Sequence, residues 1–297
     1  MEVYLTFDDG IQPGTEEVLA ILKEMGVKAT FFLVGMQVFY AYRRNSTACL
    51  RVLKEICEEH AIGNHSFSHA NFFYADYYRE DGPRLNDRGE RMSIRMDFDK
   101  NRSVLNHYLG IIYNKNGEER NGLLARGQKK QLARLPGRNS WYLPAGTVTN
   151  TGQPYFHCEE GTQRPAKTLF EDGYHLYGWN AEWCMSFEFH KEAVSRIKEA
   201  QQEGRLNYHD KDSIHPDFDM YDAQHLEKDR LIEGWEDVGQ RVLTLGTHNS
   251  VVLLMHDRAF RKSAAPDFTR DARQLKSLIL FLKENNAVFK TLDHFTG

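Results

Sequence analysis

Short apolar runs alternate with amphipathic segments along nearly the whole chain, and this rhythm constrains the fold more than any other feature. Residues 2–7 (EVYLTF) suit a buried strand, and residues 15–25 (TEEVLAILKEM) a helix capped by Thr15 with Gly26 just past its end. "VKATFFLVG", residues 27–35, is a second buried strand, and residues 46–59 form an amphipathic helix closed by "HAIGNHS". The same pattern predicts helices at 97–109, 189–203, 235–245 and 270–284, and strands at 131–135, 174–179, 251–255 (VVLLM) and 288–292. Strand–helix alternation of this kind favours a parallel sheet or barrel. Stretches 71–95, 110–130 and 204–233 break the rhythm and hold too few apolar residues for cores of their own. They are expected to be insertions in a single domain spanning residues 1–297.

Composition excludes several classes. The formal net charge is −4 with no long basic run, so nucleic-acid binding has no electrostatic footprint. No apolar segment approaches the roughly 18 residues of a membrane span. The four cysteines, Cys49, Cys57, Cys158 and Cys184, have neither CxxC spacing nor the density of a disulfide scaffold. No signal peptide precedes the first strand at Glu2, although a leader removed before this numbering would leave the same beginning.

The ends of the predicted strands carry the chemistry. The first strand runs into Asp8 and Asp9, two adjacent carboxylates that repel each other. Either the pair is a solvated turn or a positive group sits against it. "GNHSFSH", residues 63–69, offers His65 and His69 at i, i+4. Two imidazoles and a carboxylate make a three-ligand metal site with a fourth position open to water. Thirteen histidines in 297 residues would give roughly 0.6 HxxxH pairs by chance, so the pair alone does not outweigh two surface histidines on a turn. Other strand ends read "ARLPGRN", "GWNAEW" and "LLMHDR". In α/β barrels, reactive residues sit at the C-terminal ends of strands.

Taken in order, the segments TFDDG, HSFSH, Arg134-Leu-Pro136-Gly137, Trp179-Asn180-Ala-Glu182-Trp183 and Leu254-Met-His256-Asp257 resemble the polysaccharide deacetylases of carbohydrate esterase family 4, the NodB homology domain. The resemblance implies an α/β fold, a distorted, incomplete (β/α) barrel of seven or eight parallel strands. It also implies that Asp8 is a general base and that Asp9, His65 and His69 hold a metal, zinc by default or another divalent transition ion such as cobalt. Arg134 would hold the base carboxylate while Pro136 and Gly137 wall the groove. Glu182 would take the place of an aspartate and contact Arg134. Leu254 would line an acetyl pocket, and His256 would be the general acid.

Two departures stand out. Gly137 follows Pro136 directly, where the family usually places an aromatic residue between them, and "YLPAG", residues 142–146, is a rival for the missing portion. Glu182 is one methylene longer than aspartate. Trp141, Tyr142 and Trp183 are expected to pack on sugar faces, with Trp141 in a surface loop and Trp179 in the core. Asp257 is expected either to orient His256 or to cap the following turn. His60, His209, His215 and His225 are expected at the surface.

Such a site would attack an acetamide carbonyl with water, Asp8 taking the proton and His256 protonating the leaving amine. The expected substrate is an acetylated amino-sugar glycan of peptidoglycan or chitin type. An O-acetyl esterase of the same fold, a non-glycan C–N hydrolase and a catalytically silent glycan-binding domain are the alternatives. The resemblance suggests a cell-envelope, periplasmic or secreted location. The sequence assigns no oligomeric state.

Overall fold

A computed structural model describes residues 1–72, 77–78, 93–113, 128, 130–183, 234–246, 250–261 and 272–297. The strands are β1 (Glu2–Asp8), β2 (Thr30–Leu33), β3 (Ala61–Asn64), β4 (Gln131–Ala133), β5 (Trp141–Leu143), β6 (Tyr155–His157), β7 (Tyr174–Leu176), β8 (Ala181–Glu182), β9 (Ser250–His256) and β10 (Val288–Phe289). They form one sheet in the order β6-β5-β7-β4-β3-β2-β1-β9-β8, with β10 beside the start of β1. Every pairing among β1–β4 and β7–β10 is parallel, eight strands in all. β5 enters antiparallel between β7 and β6. The sheet curls into an incomplete barrel.

The helices are α1 (Thr15–Met25), α2 (Gly35–Arg44), α3 (Ser46–Glu59), α4 (Ile94–Tyr113), α5 (Gln163–Glu171), α6 (Trp235–Leu245) and α7 (Ala272–Glu284). Alternation along β1 divides the core. Val3, Leu5 and Phe7 turn outward to meet the apolar stripes of α1, α3 and α7. Tyr4 turns inward with Phe32, Leu132, Tyr177 and Val252. From the end where the parallel strands begin, Leu292 and Phe295 close the interior, the Phe295 ring lying 5.1 Å from Tyr4.

Several expectations shift. α1 has the expected bounds, and Gly26 ends it in the left-handed conformation at φ 61°. Its N-cap, however, is Gly14, not Thr15. The Thr15 hydroxyl bonds Gln12 and Asp257 instead. The second strand stops at Leu33, because Gly35 and Met36 donate their N–H groups to Ser66 and Phe67 and the chain turns into α2. α4 extends to Ile94 and Tyr113, taking in the margins of two stretches expected to be insertions. The remainder of those stretches lies largely outside the described residues, as do helix 189–203, residues 204–233 with His209, His215 and His225, and Cys184. His60 is half-buried, not a solvated helix end: its Nδ1 accepts the Ala29 N–H at 3.2 Å and its ring meets Phe31 edge-on.

Candidate active site

The ladder of the sheet continues past the strand ends and delivers the polar residues to one place. Asp9 N–H donates to Phe32 O, His65 N–H to Leu33 O and Arg134 N–H to Asn64 O, each at 3.1 Å. Asp8 lies opposite His256 in the β1–β9 register. Asp8, Asp9, His65, His69, Arg134 and His256 are all buried at the C-terminal mouth of the barrel.

Asp8 and Asp9 share His65, whose Nε2 is 3.5 Å from an oxygen of each, but differ in their other partners. Asp8 Oδ1 accepts from Arg134 Nη1 at 2.8 Å. The guanidinium is fully buried, and each of its three nitrogens donates. Nη1 also donates to Thr6 Oγ1, Nε to Tyr177 O and Nη2 to Gly178 O. Its Cζ lies over the Phe32 ring at 4.3 Å and over the Trp179 ring at 5.7 Å. Burial pulls the guanidinium pKa down while Asp8 opposes that shift.

Asp9 sits in left-handed backbone at φ 74° and turns its carboxyl to the histidines. Asp9 Oδ1 is 3.0 Å from His69 Nε2 and 3.5 Å from His65 Nε2. Burial opposes charge on this carboxyl, yet the imidazoles of His69, His256 and His65 hold its pKa well below the usual carboxylate range. His65 Nδ1 is 2.9 Å from the Arg134 carbonyl, to which it donates, so Nε2 keeps its lone pair and faces the carboxylates. Burial lowers the His65 pKa to about 4, which keeps the ring neutral at neutral pH.

One ligand atom from each of Asp9, His65 and His69 lies within 4.8 Å of the others. Asp9 Oδ1 is buried and receives no well-aligned hydrogen bond. An anionic oxygen without a donor, facing two imidazole nitrogens, is a donor set that fits a divalent transition ion. His256 Nε2 stands 3.9 Å from Asp9 Oδ2 across this set.

The third and fourth strand ends differ from expectation. Arg134 makes none of its hydrogen bonds to Glu182. Glu182 lies on β8 opposite Leu254, and its carbonyl accepts from Arg241. Trp183 is fully buried against Phe260 among the helices and is unavailable to a sugar. Trp141 is also buried, not at the surface, packing inside the barrel on Tyr177 and Phe295. Tyr142 stacks on Phe156 and Phe170 at α5. The rival segment YLPAG leaves the mouth because β5 is antiparallel, and Thr147 beyond it approaches Gly297 at the opposite end. Pro136 instead stays tied near the mouth by the Tyr78 hydroxyl, which donates to its carbonyl at 2.5 Å. Leu254 is buried two pairs below His256 along β9.

Trp179, expected in the core, is half-buried beside Arg134, its backbone N–H and carbonyl both held by the Asn139 amide at 2.9 Å. Asp257 neither bonds His256 nor serves as a cap. Its oxygens accept from Gln12 Nε2 at 2.8 Å and Thr15 Oγ1 at 2.5 Å, locking the β1–α1 turn, and burial raises its pKa to about 7. Asn64, Asp97 and Asn101, which tie the strand ends to α4, carried no sequence signal that separates them from ordinary polar positions.

Residues 1–114 match the family model for polysaccharide deacetylases. Over this segment, a little more than a third of its length, the chain is similar to the polysaccharide deacetylases. A peptidoglycan-N-acetylglucosamine deacetylase of Bacillus cereus is 44% identical over 72 residues, 24% of this chain and 23% of that protein. A chitin disaccharide deacetylase of Vibrio alginolyticus is 25% identical over 215 residues, 61% of this chain and 47% of its own. The chain thus spans between about a quarter and a half of these relatives. A carbohydrate esterase family 4 esterase of Streptococcus mutans shares the fold, with a TM-score of 0.50 at 20% identity over 98% of this chain and 85% of that one. The matched segment includes Asp8, Asp9, His65 and His69, whereas Arg134 and His256 lie beyond it.

Proposed function

We propose that this chain is a metal-dependent hydrolase that removes N-acetyl groups from an amino-sugar glycan of chitin or peptidoglycan type, releasing acetate. The observation that carries this reading is the split of the two aspartates. One is bound to a buried arginine, and the other faces two imidazoles. Curated relatives named as chitin disaccharide and peptidoglycan-N-acetylglucosamine deacetylases support the substrate class.

Asp9, His65 and His69 would hold the ion, zinc or a similar divalent transition metal. Bound there, such an ion supplies Lewis acidity, making water acidic near neutral pH and offsetting charge on the carbonyl oxygen. Arg134 fixes Asp8 as a free carboxylate base aimed into the mouth. Asp8 takes a proton from the attacking water as its oxygen bonds to the acetamide carbon. His256, across the site, gives a proton to the leaving nitrogen as the C–N bond breaks, so the products are acetate and a free amine. Pro136, Gly137 and Trp179 would border the glycan, and Leu254 would lie beneath the acetyl methyl.

The test pairs zinc content with acetate release from N-acetylglucosamine oligomers. About one zinc per chain, with release abolished by a chelator and restored by metal, is the expected result. Zinc without acetate release would move the reading to another acetylated substrate, and absence of zinc binding would end the metal-dependent reading.

A further inference from the structure

The two histidines of the candidate metal set lie on a loop that is costly to hold. Ser66, His69 and Ala70 have left-handed backbone at φ 64°, 51° and 60°, and none is glycine. Each such residue costs of the order of 1–3 kcal/mol unless its surroundings fix it. Part of the restraint is local: Ser66 Oγ accepts the His69 N–H at 3.0 Å, and Asn64 Oδ1 accepts the Ser66 N–H at 3.0 Å. The rest comes from the first turn of α4. Asp97, fully buried there, accepts the Ser68 N–H at 3.2 Å, the Ser68 hydroxyl at 2.9 Å and the Tyr77 hydroxyl at 2.8 Å. Its backbone carbonyl accepts the Phe67 N–H at 3.2 Å. A buried carboxylate is tolerated because these donors surround it, and every donor it fixes in Phe67 and Ser68 lies between the two histidines.

We infer that Asp97 is a positioning residue for the metal centre: through Ser68 it holds His69 against Asp9 and sets how tightly the site grips its ion. The inference rests on the metal-dependent reading above. Groups that orient metal ligands from behind typically account for 10–100-fold in metal affinity.

The test is the zinc dissociation constant of the full chain, measured by competition with a chromophoric chelator, for wild type, Asp97→Asn, His69→Ala and the double variant. Asp97→Asn is expected to weaken zinc binding about 10–100-fold while the metal-free protein keeps its circular dichroism spectrum. In the His69→Ala background the same change is expected to cost less than about twofold, because the residue through which it acts is gone. Equal losses in both backgrounds would overturn the inference, as would unchanged affinity in Asp97→Asn. If Asp97→Asn does not fold, Ser68→Ala removes one bond without stranding a charge. It should then weaken zinc binding only while His69 is present, and wild-type affinity in Ser68→Ala would overturn the inference. A wild-type chain that binds no zinc overturns the metal-dependent reading itself, which distinguishes that failure from failure of the Asp97 role alone.

Discussion

At the scale of single residues, the adjacent carboxylates differ because Asp8 is paired with Arg134 and Asp9 with His69, while both face His65. Asp8→Asn removes the proposed base but none of the three proposed ligands. It is expected to bind zinc normally while acetate release falls by about 10²–10⁴-fold. His65→Ala should instead lose the zinc, as measured by metal analysis after gel filtration. Arg134 is a structural hub as well as a charge. Arg134→Leu strands the Asp8 carboxylate and leaves Thr6, Tyr177 O and Gly178 O without their donor. Removing one partner of a buried pair costs about 3–5 kcal/mol, so the midpoint of urea unfolding should fall accordingly. An unchanged midpoint would mean that Asp8 finds solvent or another donor in the variant.

At the scale of elements, the turn from β1 into α1 is fitted to the end of β9. Gly14 has φ 108°, and a Cβ there would lie 2.0 Å from the Asp257 carbonyl oxygen. Gly14→Ala should therefore destabilise by more than about 1 kcal/mol in equilibrium unfolding, since neither the conformation nor the space admits a side chain. His60 joins α3 to the start of β2. Burial lowers the pKa of both His60 and His65 to about 4. A histidine whose folded pKa lies below its unfolded value contributes stability fully above about pH 6.5, and that contribution is lost as pH falls through about 6.5 toward 4. The melting temperature of the metal-free protein should drop across that window. His60→Asn, whose amide oxygen can accept the Ala29 N–H without charging, should show a shallower drop.

The elements also explain what the sequence made legible. α1, α3 and α6 have the bounds their apolar spacing predicts, because each presents one stripe to one side of the sheet. β3, β5, β6 and β8 were missed because two to four residues are too few to display a period. α2 was missed because what starts it is tertiary, the carbonyls of Ser66 and Phe67 receiving its first N–H groups. Among site residues, strand-end position drew attention to Asp8, Asp9, His65 and His69. Asp97 stayed invisible because nothing local distinguishes a helical aspartate turned inward from one facing water. Trp141 and Trp183 were misjudged for the same reason: proximity to a motif does not reveal which face of the sheet a ring occupies.

At the scale of the whole molecule, an ion held by Asp9, His65 and His69 would join β1 to the loop after β3, ligands more than fifty positions apart in the sequence. Ion binding confined to the folded state stabilises by about 4 kcal/mol when free metal exceeds the dissociation constant a thousandfold. Chelation should then lower the melting temperature reversibly, while added zinc should raise that of His65→Ala far less than that of the wild type.

The barrel floor has a consequence for the order of events in turnover. Tyr4, Trp141, Tyr177, Leu292 and Phe295 fill the interior from beneath, and all are buried. Among the described residues these close that route, so on the proposed reaction acetate formed under a bound glycan would leave by the entrance through which the glycan came. On that reaction the amine product is expected to depart before acetate. Acetate added at the start should therefore inhibit competitively against the glycan, whereas the deacetylated oligomer should not.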